Sequence, residues 1–346
     1  MKTMTKTSTT PTFALGRFSI AGSAPFPGVV VDGRVVAIEA LASKWRTQGY
    51  KIAGDAMVQG LLEDWDTALA AIEAALHAEG TQSVDADLPW TPVSALHVHS
   101  PLAHPGTIYC SGANYRKHVI DIILAGGGEP GTEHFTMEQR RAHGEQLMNE
   151  RAAHGKPFVF FKSASAIVGP YDTVILPKTV EKPDWELELG VVIGKPARRV
   201  SRAEALDYVG GYVMLNDITS RDLVNRPDVP MMGMDWMASK SSPTFLPLGP
   251  YLVPARFVDD PQDLHITLKL NGQVMQDEST ADMIFDVARL IEFISSHVQL
   301  LPGDLIATGS PAGNGIRHGR LLRPGDVMEG SITGLGIQRN PCIAEN

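Results

Sequence analysis

The stretch Asp184-Trp185-Glu186-Leu187-Glu188-Leu189-Gly190-Val191-Val192-Ile193-Gly194 constrains this chain more than any other segment. Two carboxylates two residues apart on a strand project from the same face, while Leu187, Leu189 and Val191 face the other way. Like charges side by side repel, and burying them is costly unless a cation neutralises the pair. A solvated strand face is the alternative reading, and the continuation into Val191-Val192-Ile193 favours a buried element. A second apolar run, Val213-Met214-Leu215-Asn216, ends on Asp217, which adds a third carboxylate at a strand end. Glu186, Glu188 and Asp217, with no His or Cys cluster nearby, point to a hard cation with oxygen ligands, Mg²⁺ or Mn²⁺, rather than zinc.

The surrounding sequence is β-rich α+β in texture. Short apolar runs at Phe158 to Phe161, Leu187 to Ile193, Tyr212 to Leu215, Ile266 to Leu270, Leu305 to Ala307 and Val327 to Ile332 are expected strands. Helices are expected from Thr136 to His154 and from Met283 to His297. Earlier in the chain, Val29-Val30-Val31-Asp32-Gly33-Arg34-Val35-Val36 spells a tight hairpin, and Trp65, Leu69, Ile72 and Leu76 recur at helical spacing. The polar stretch from Thr81 to Pro92 reads as a linker. The expected organisation is a frayed tail over residues 1–12, a small α+β module over 13–100 and a catalytic domain over 101–346.

Charge and cysteine content narrow the function. A net charge of -9 disfavours nucleic acid and anionic membrane surfaces as partners, and no apolar run reaches the ~20 residues needed to span a bilayer. Two cysteines, Cys110 and Cys342, make no disulfide framework, and the Thr-rich start lacks the hydrophobic stretch of a secretory signal, so a cytoplasmic location is expected. Phosphate-loop, dinucleotide, serine-elbow and zincin motifs are all absent from the sequence. His118 stands three residues before Asp121, neighbours on a helical turn; a carboxylate beside an imidazole suits a general base, though a surface pair at a helix start gives the same spacing. His97-Val98-His99 reads as a strand with half-exposed histidines.

Taken in order, the blocks of residues 105 to 340 resemble the fumarylacetoacetate hydrolase family. They are Gly112-Ala113-Asn114-Tyr115-Arg116-Lys117-His118, then Phe161-Lys162 and Ile167-Val168-Gly169-Pro170, then Trp185-Glu186-Leu187-Glu188. Asn216-Asp217, Ser220-Arg221-Asp222, Lys240-Ser241 and Asp282-Met283-Ile284-Phe285 follow. Pro302-Gly303-Asp304, Ala307-Thr308-Gly309-Ser310-Pro311-Ala312-Gly313 and Pro324-Gly325-Asp326 close the series. The resemblance implies a β-rich roll or sandwich around a metal site, usually dimeric, behind a variable N-terminal module. It places the metal carboxylates on Glu186, Glu188 and Asp217, the catalytic histidine on His118 with Asp121 as its acidic partner, and the active-site lysine on Lys240. Arg221 falls where relatives contact substrate, although a structural partnership with Asp222 or a neighbouring strand would also use it. Lys162, Tyr115 and Ser310 are further expected substrate contacts.

Three positions depart from the family pattern. Ser111 stands where the fumarylacetoacetase branch has a further metal-binding Asp, which argues against fumarylacetoacetate itself as substrate. Val224 stands where many relatives carry Gln, and Gly309-Ser310-Pro311 replaces a Gly-Thr-Pro turn. Extra sequence at about 122–156, led by Gly126-Gly127-Gly128, reads as a lid, a surface excursion or a dimer contact.

The activity this resemblance implies is hydrolysis of a C–C bond in a 2,4-dioxo acid of the acylpyruvate type, giving a carboxylic acid and pyruvate or a substituted pyruvate. A metal-bound enolate and a water activated by His118 and Asp121 would carry it. The alternatives are an oxaloacetate-type decarboxylase, a 2-oxo-enoate hydratase or isomerase, and a non-catalytic paralogue that binds a small acid.

Overall fold

The computed structural model describes residues 12–52, 57–78, 83–125 and 131–346. Almost all of the expected tail and the three glycines 126–128 lie outside these residues. The fold is mixed and strand-rich. Its centre is a six-stranded sheet in the order Val253–Pro254, Val209–Asn216, Leu187–Ile193, Leu305–Ala307, Ile108–Gly112, Phe158–Phe161. All its neighbours are antiparallel except Leu305–Ala307 with Ile108–Gly112. A five-stranded sheet, built on the antiparallel set His265–Leu270, Gln273–Ser279, Val327–Ile332 and Gly336–Ala344, packs beside it.

The Leu187–Ile193 strand is buried along its whole length, as a strand covered on both faces must be. Leu187, Leu189, Val191 and Ile193 belong to the larger core, which also holds Phe285, Leu290 and Ile291. Val192 faces the opposite way, into a second core shared with the N-terminal region. Glu188, an even number of residues away, lies on that same face.

The N-terminal region forms its own five-stranded sheet. The Asp32-Gly33 turn has positive φ at both residues, 46° and 72°, which matches the twist of the flanking strands Phe26–Val31 and Arg34–Ala37. The described residues of the stretch read as a linker, 83–92, pack against this region. Thr91–Pro92 adds to the sheet edge, Trp90 lies under the Arg34 guanidinium, and Lys44 bonds Asp85 at 2.7 Å. The expected helix divides into Val58–Leu61, a 3₁₀ turn and Trp65–Leu76. Trp65 donates its indole N–H to the Gly210 carbonyl at 2.8 Å, and the second core joins Ile38, Leu41 and Trp45 to Val213, Leu215 and Leu305 of the central sheet.

The later helix runs Val287–His297, with Asp286 accepting from the Arg289 amide as its N-cap. The Met137–His154 helix starts from a capping box in which Thr136 and Gln139 exchange hydrogen bonds. It packs along the Arg116–Ala125 helix, with Gly144 against Ile120 and Ile123. Arg289 donates to the carbonyls of Ala152 and Gly155, which fixes its C-terminal end. No helix among the described residues is long and apolar enough to cross a membrane.

Candidate metal and active site

Glu186, Glu188 and Asp217 converge, each offering a carboxylate oxygen within 4.8 Å of the others, and all three are buried. Glu188 is carried by the central strand opposite Leu215. Glu186 stands just outside it, between Pro183–Asp184 and Leu187–Ile193, because its backbone N–H donates to Asn216 Oδ1 at 2.8 Å instead of entering the ladder. Asp217 follows the last residue of Val209–Asn216, as its strand-end position predicted, and its amide donates to the Glu186 carbonyl at 2.8 Å.

Each carboxylate is held by specific donors. The Gly309 amide donates to Glu188 at 2.7 Å; Gly309 has φ +103, and a side chain there would meet Asn114 at 2.8 Å. Thr219 donates to Glu186 at 3.0 Å. Asp217 is gripped on both sides, by Lys162 Nζ at 2.6 Å and by Lys240 Nζ at 2.5 Å. Lys240 also reaches Glu186 at 3.0 Å.

Electrostatics divide the three acids. Burial alone would raise Glu186, but Arg221 and Lys240 hold its carboxyl down to about 2. Glu188 is pushed well above the usual carboxylate range by burial and by the charges of Asp217 and Glu186. Burial opposes the charge on Lys240, yet Asp217, Glu186 and Glu188 together hold it above its ordinary value. An all-oxygen donor set, buried and with one member short of positive charge, fits a divalent cation.

These residues line the floor of a cavity of about 390 Å³, together with Arg221 and Ser310. His118, on the Arg116–Ala125 helix, is half-buried at its side. Burial lowers the imidazole; Glu186 and Asp121 oppose this, Arg221 and Lys240 reinforce it, and the result is about 4. Asp121 pairs with Arg317 Nε at 3.2 Å, in a small side pocket that His118 and Arg221 also line. It acts on His118 through its charge; no hydrogen bond joins them among the described residues.

The expected substrate contacts divide. Ser310 lines the cavity, with its hydroxyl accepting from Gln276 at 3.1 Å and Asn314 at 3.2 Å. Arg221 lines it too, but its guanidinium is bound to Asp184 at 2.9 Å and Glu186 at 2.5 Å, and not to Asp222. Asp222 accepts instead from the amides of Glu181 and Lys182. Lys162 and Tyr115 do not line the cavity. Lys162 is fully engaged behind Asp217 with the Ile218 and Phe245 carbonyls, and Tyr115 is buried in the larger core. Of the segment read as a lid, Ile122 reaches the cavity, while the Met137–His154 helix lies behind the Arg116–Ala125 helix.

Sequence reasoning missed Asp184, the fully buried partner of Arg221, although it continues the same two-residue alternation as Glu186 and Glu188. It also missed the cavity walls. Phe158, Phe160 and Trp236 form an aromatic group, with Phe160 and Trp236 stacked at 4.5 Å. Ser111 reaches the cavity, and Val224 contributes a methyl surface.

Comparison with known proteins places this site in context. Residues 107–343 match the family pattern described as Fumarylacetoacetate (FAA) hydrolase C-terminal. A 2,4-didehydro-3-deoxy-L-rhamnonate hydrolase of Sphingomonas sp. (strain SKA58) is 46% identical over 189 residues, covering 53% of this chain and 64% of that protein. A mitochondrial oxaloacetate tautomerase of Rattus norvegicus is 33% identical over 289 residues, covering 83% of this chain and 79% of its own. Among solved structures, maleylpyruvate hydrolase from Sphingobium sp. SYK-6, in complex with manganese(II) and pyruvate, superposes with a TM-score of 0.69 at 26% identity, over 96% of this chain and 100% of that one.

Proposed function

The chain belongs to the fumarylacetoacetate hydrolase family, and on that premise we propose that it hydrolyses a C–C bond in a 2,4-dioxo acid of the acylpyruvate type, yielding a carboxylic acid and pyruvate or a substituted pyruvate. The observation that carries this reading is that His118 lines the same cavity as the Glu186, Glu188 and Asp217 carboxylates. Those three residues would hold the cation, Mg²⁺ or Mn²⁺, which when bound supplies Lewis acidity toward a chelating 2-oxo acid.

The chain's own residues supply the rest. An imidazole lowered to about 4 is neutral near pH 7 and free to take a proton. His118 would accept it from a water as that water's oxygen bonds to C4, the distal carbonyl carbon. The C3–C4 bond then breaks with its electron pair going to the pyruvate part, and His118 returns the proton to C3. Lys240, kept cationic by Asp217 and Glu186, stabilises negative charge that develops at the floor. Arg221 orients Glu186 and offers its remaining N–H donors to the substrate carboxylate. The reading includes a homodimer, as the family resemblance implies, and a cytoplasmic location, as the cysteine content suggests.

A second reading is keto–enol isomerisation of a 2-oxo acid, favoured by the likeness to oxaloacetate tautomerase over 83% of the chain. It uses the same base and no attacking water. A panel of acylpyruvates with oxaloacetate alongside, assayed with Mg²⁺, Mn²⁺ and EDTA, separates the two. Metal-dependent release of pyruvate and acyl acid in equal yield supports the hydrolase. Metal-dependent interconversion of oxaloacetate tautomers without C–C cleavage of any acylpyruvate would replace it with the isomerase.

A further inference from the structure

The cavity is polar at its floor and at His118 on its side. Its two cations are both committed there, Lys240 to Glu186 and Asp217 and Arg221 to Asp184 and Glu186. Above them the wall is built from Val119, Ile122, Phe158, Phe160, Met234 and Trp236. These come from three separate segments. Phe158 and Phe160 point the same way from one strand, Val119 and Ile122 share a helix face, and Trp236 opens the helix that ends on Lys240. Trp236 stacks on Phe160 at 4.5 Å and tilts against Phe158 at 5.7 Å, so the ring surfaces form one continuous slot.

Lys240 Nζ lies 5.5 Å from the centre of the Phe160 ring at the foot of this wall, already committed to Glu186 and Asp217, and among the described residues that line the cavity no other cation stands on the wall. Arg317 lies round the corner, in a side pocket of about 40 Å³, where Asp121 neutralises it. A carboxylate at the far end of a substrate would lose water against this wall without gaining an opposite charge. An aryl or branched alkyl group would exchange water for ring and methyl contacts.

We infer that the site selects 2-oxo acids whose distal group is neutral and apolar, with Trp236 and Phe158 as the residues that set this specificity. This rests on the reading of the floor as a 2-oxo acid site and adds what lies beyond the oxo acid. Binding rather than turnover tests it, so that it stands or falls apart from the choice of reaction. Calorimetric titration with Mg²⁺ present compares pyruvate, 2-oxo-4-phenylbutanoate and 2-oxohexanedioate.

The phenyl acid is expected to bind at least about tenfold more tightly than pyruvate, and 2-oxohexanedioate no more tightly than pyruvate. Trp236→Ala should bring the phenyl acid to the level of pyruvate while the Kd of pyruvate changes less than about threefold. Met234 is 54% exposed, so a polar replacement there costs little burial, and Met234→Lys should tighten 2-oxohexanedioate and weaken the phenyl acid. Binding of 2-oxohexanedioate to the wild type more tightly than pyruvate, or as tightly as the phenyl acid, overturns the inference, as does a uniform loss of all three acids in Trp236→Ala with no reversal in Met234→Lys. Failure of all three to bind overturns both this inference and the oxo acid reading. Selective binding of the phenyl acid without any C–C cleavage leaves the inference standing and removes only the hydrolase.

Discussion

The Lys240 ammonium lies 2.5 Å from one carboxylate oxygen of Asp217, on the side that faces Glu186. It therefore stands between two of the three acids that make up the cation site. Without a divalent ion, this lysine is the charge shared by both, and with Arg221 on Glu186 and Lys162 on Asp217 it keeps the two acids tolerable in a buried setting.

Replacing it exposes that dependence. Lys240→Met leaves buried carboxylates short of a partner and should destabilise the metal-free protein by about 3 kcal/mol or more. Added Mn²⁺ should restore more thermal stability to this variant than it adds to the wild type. Equal metal-induced shifts in Tm for the two proteins would contradict the arrangement.

Lys162 acts from behind. Its Nζ spends its donors on Asp217, Ile218 and Phe245, so Lys162→Met should let Asp217 rotate. The expected result is metal affinity weaker by about 10- to 100-fold, as for other groups that orient a ligand. Competition with a fluorescent chelator reads this directly, and an unchanged affinity would reduce Lys162 to a packing role.

Glu188 gives an effect of opposite sign in the two states. Its carboxyl is raised by burial and by two like charges, so ionisation there opposes folding at neutral pH when no cation is bound. Glu188→Gln keeps an oxygen to accept from Gly309 and should raise Tm in EDTA while abolishing the further rise on adding Mn²⁺. A lower Tm in EDTA would show that the Gly309 contact outweighs the repulsion.

The pH dependence of His118 follows from a folded value of about 4, below the ordinary histidine value. The neutral ring is favoured in the fold, so its contribution to stability is full above about pH 6.5 and falls as pH drops toward 4. A nearby divalent cation pushes in the same direction. The acid limb of kcat/KM should therefore bend near pH 4 or below, and His118→Gln should lower kcat by about 10²- to 10⁴-fold. A midpoint near 6.5 in the wild type would mean that the base is not this half-buried ring.

Much of this arrangement is legible in the sequence, and the limits have physical causes. Glu188 and Asp217 follow from strand periodicity and a strand end. Glu186 is found by the same alternation, although Asn216 draws its backbone out of the ladder. The partner of Arg221 is not readable locally, because Asp184 and Arg221 meet through the pairing of Pro183–Asp184 with Thr219–Ser220. Lys162 and Tyr115 carry the right chemistry in the right block, but burial turns one toward Asp217 and the other into the core. The apolar wall is invisible from any one segment, since residues 119–122, 158–160 and 234–236 come together only in the folded chain.

The second hydrophobic core has its own consequence. It runs from Phe13 and Leu15 through Ile38, Leu41 and Trp45 to Val192, Val213 and Leu215, so residues of the N-terminal region cover the same face of the strand from which Glu188 projects. A version of the chain begun near residue 100 would uncover the apolar part of that face and form a sticky, half-melted species. For anyone trimming or fusing this protein, the leading segment is a structural cover for the sheet that carries the site, and a cut near residue 100 removes it.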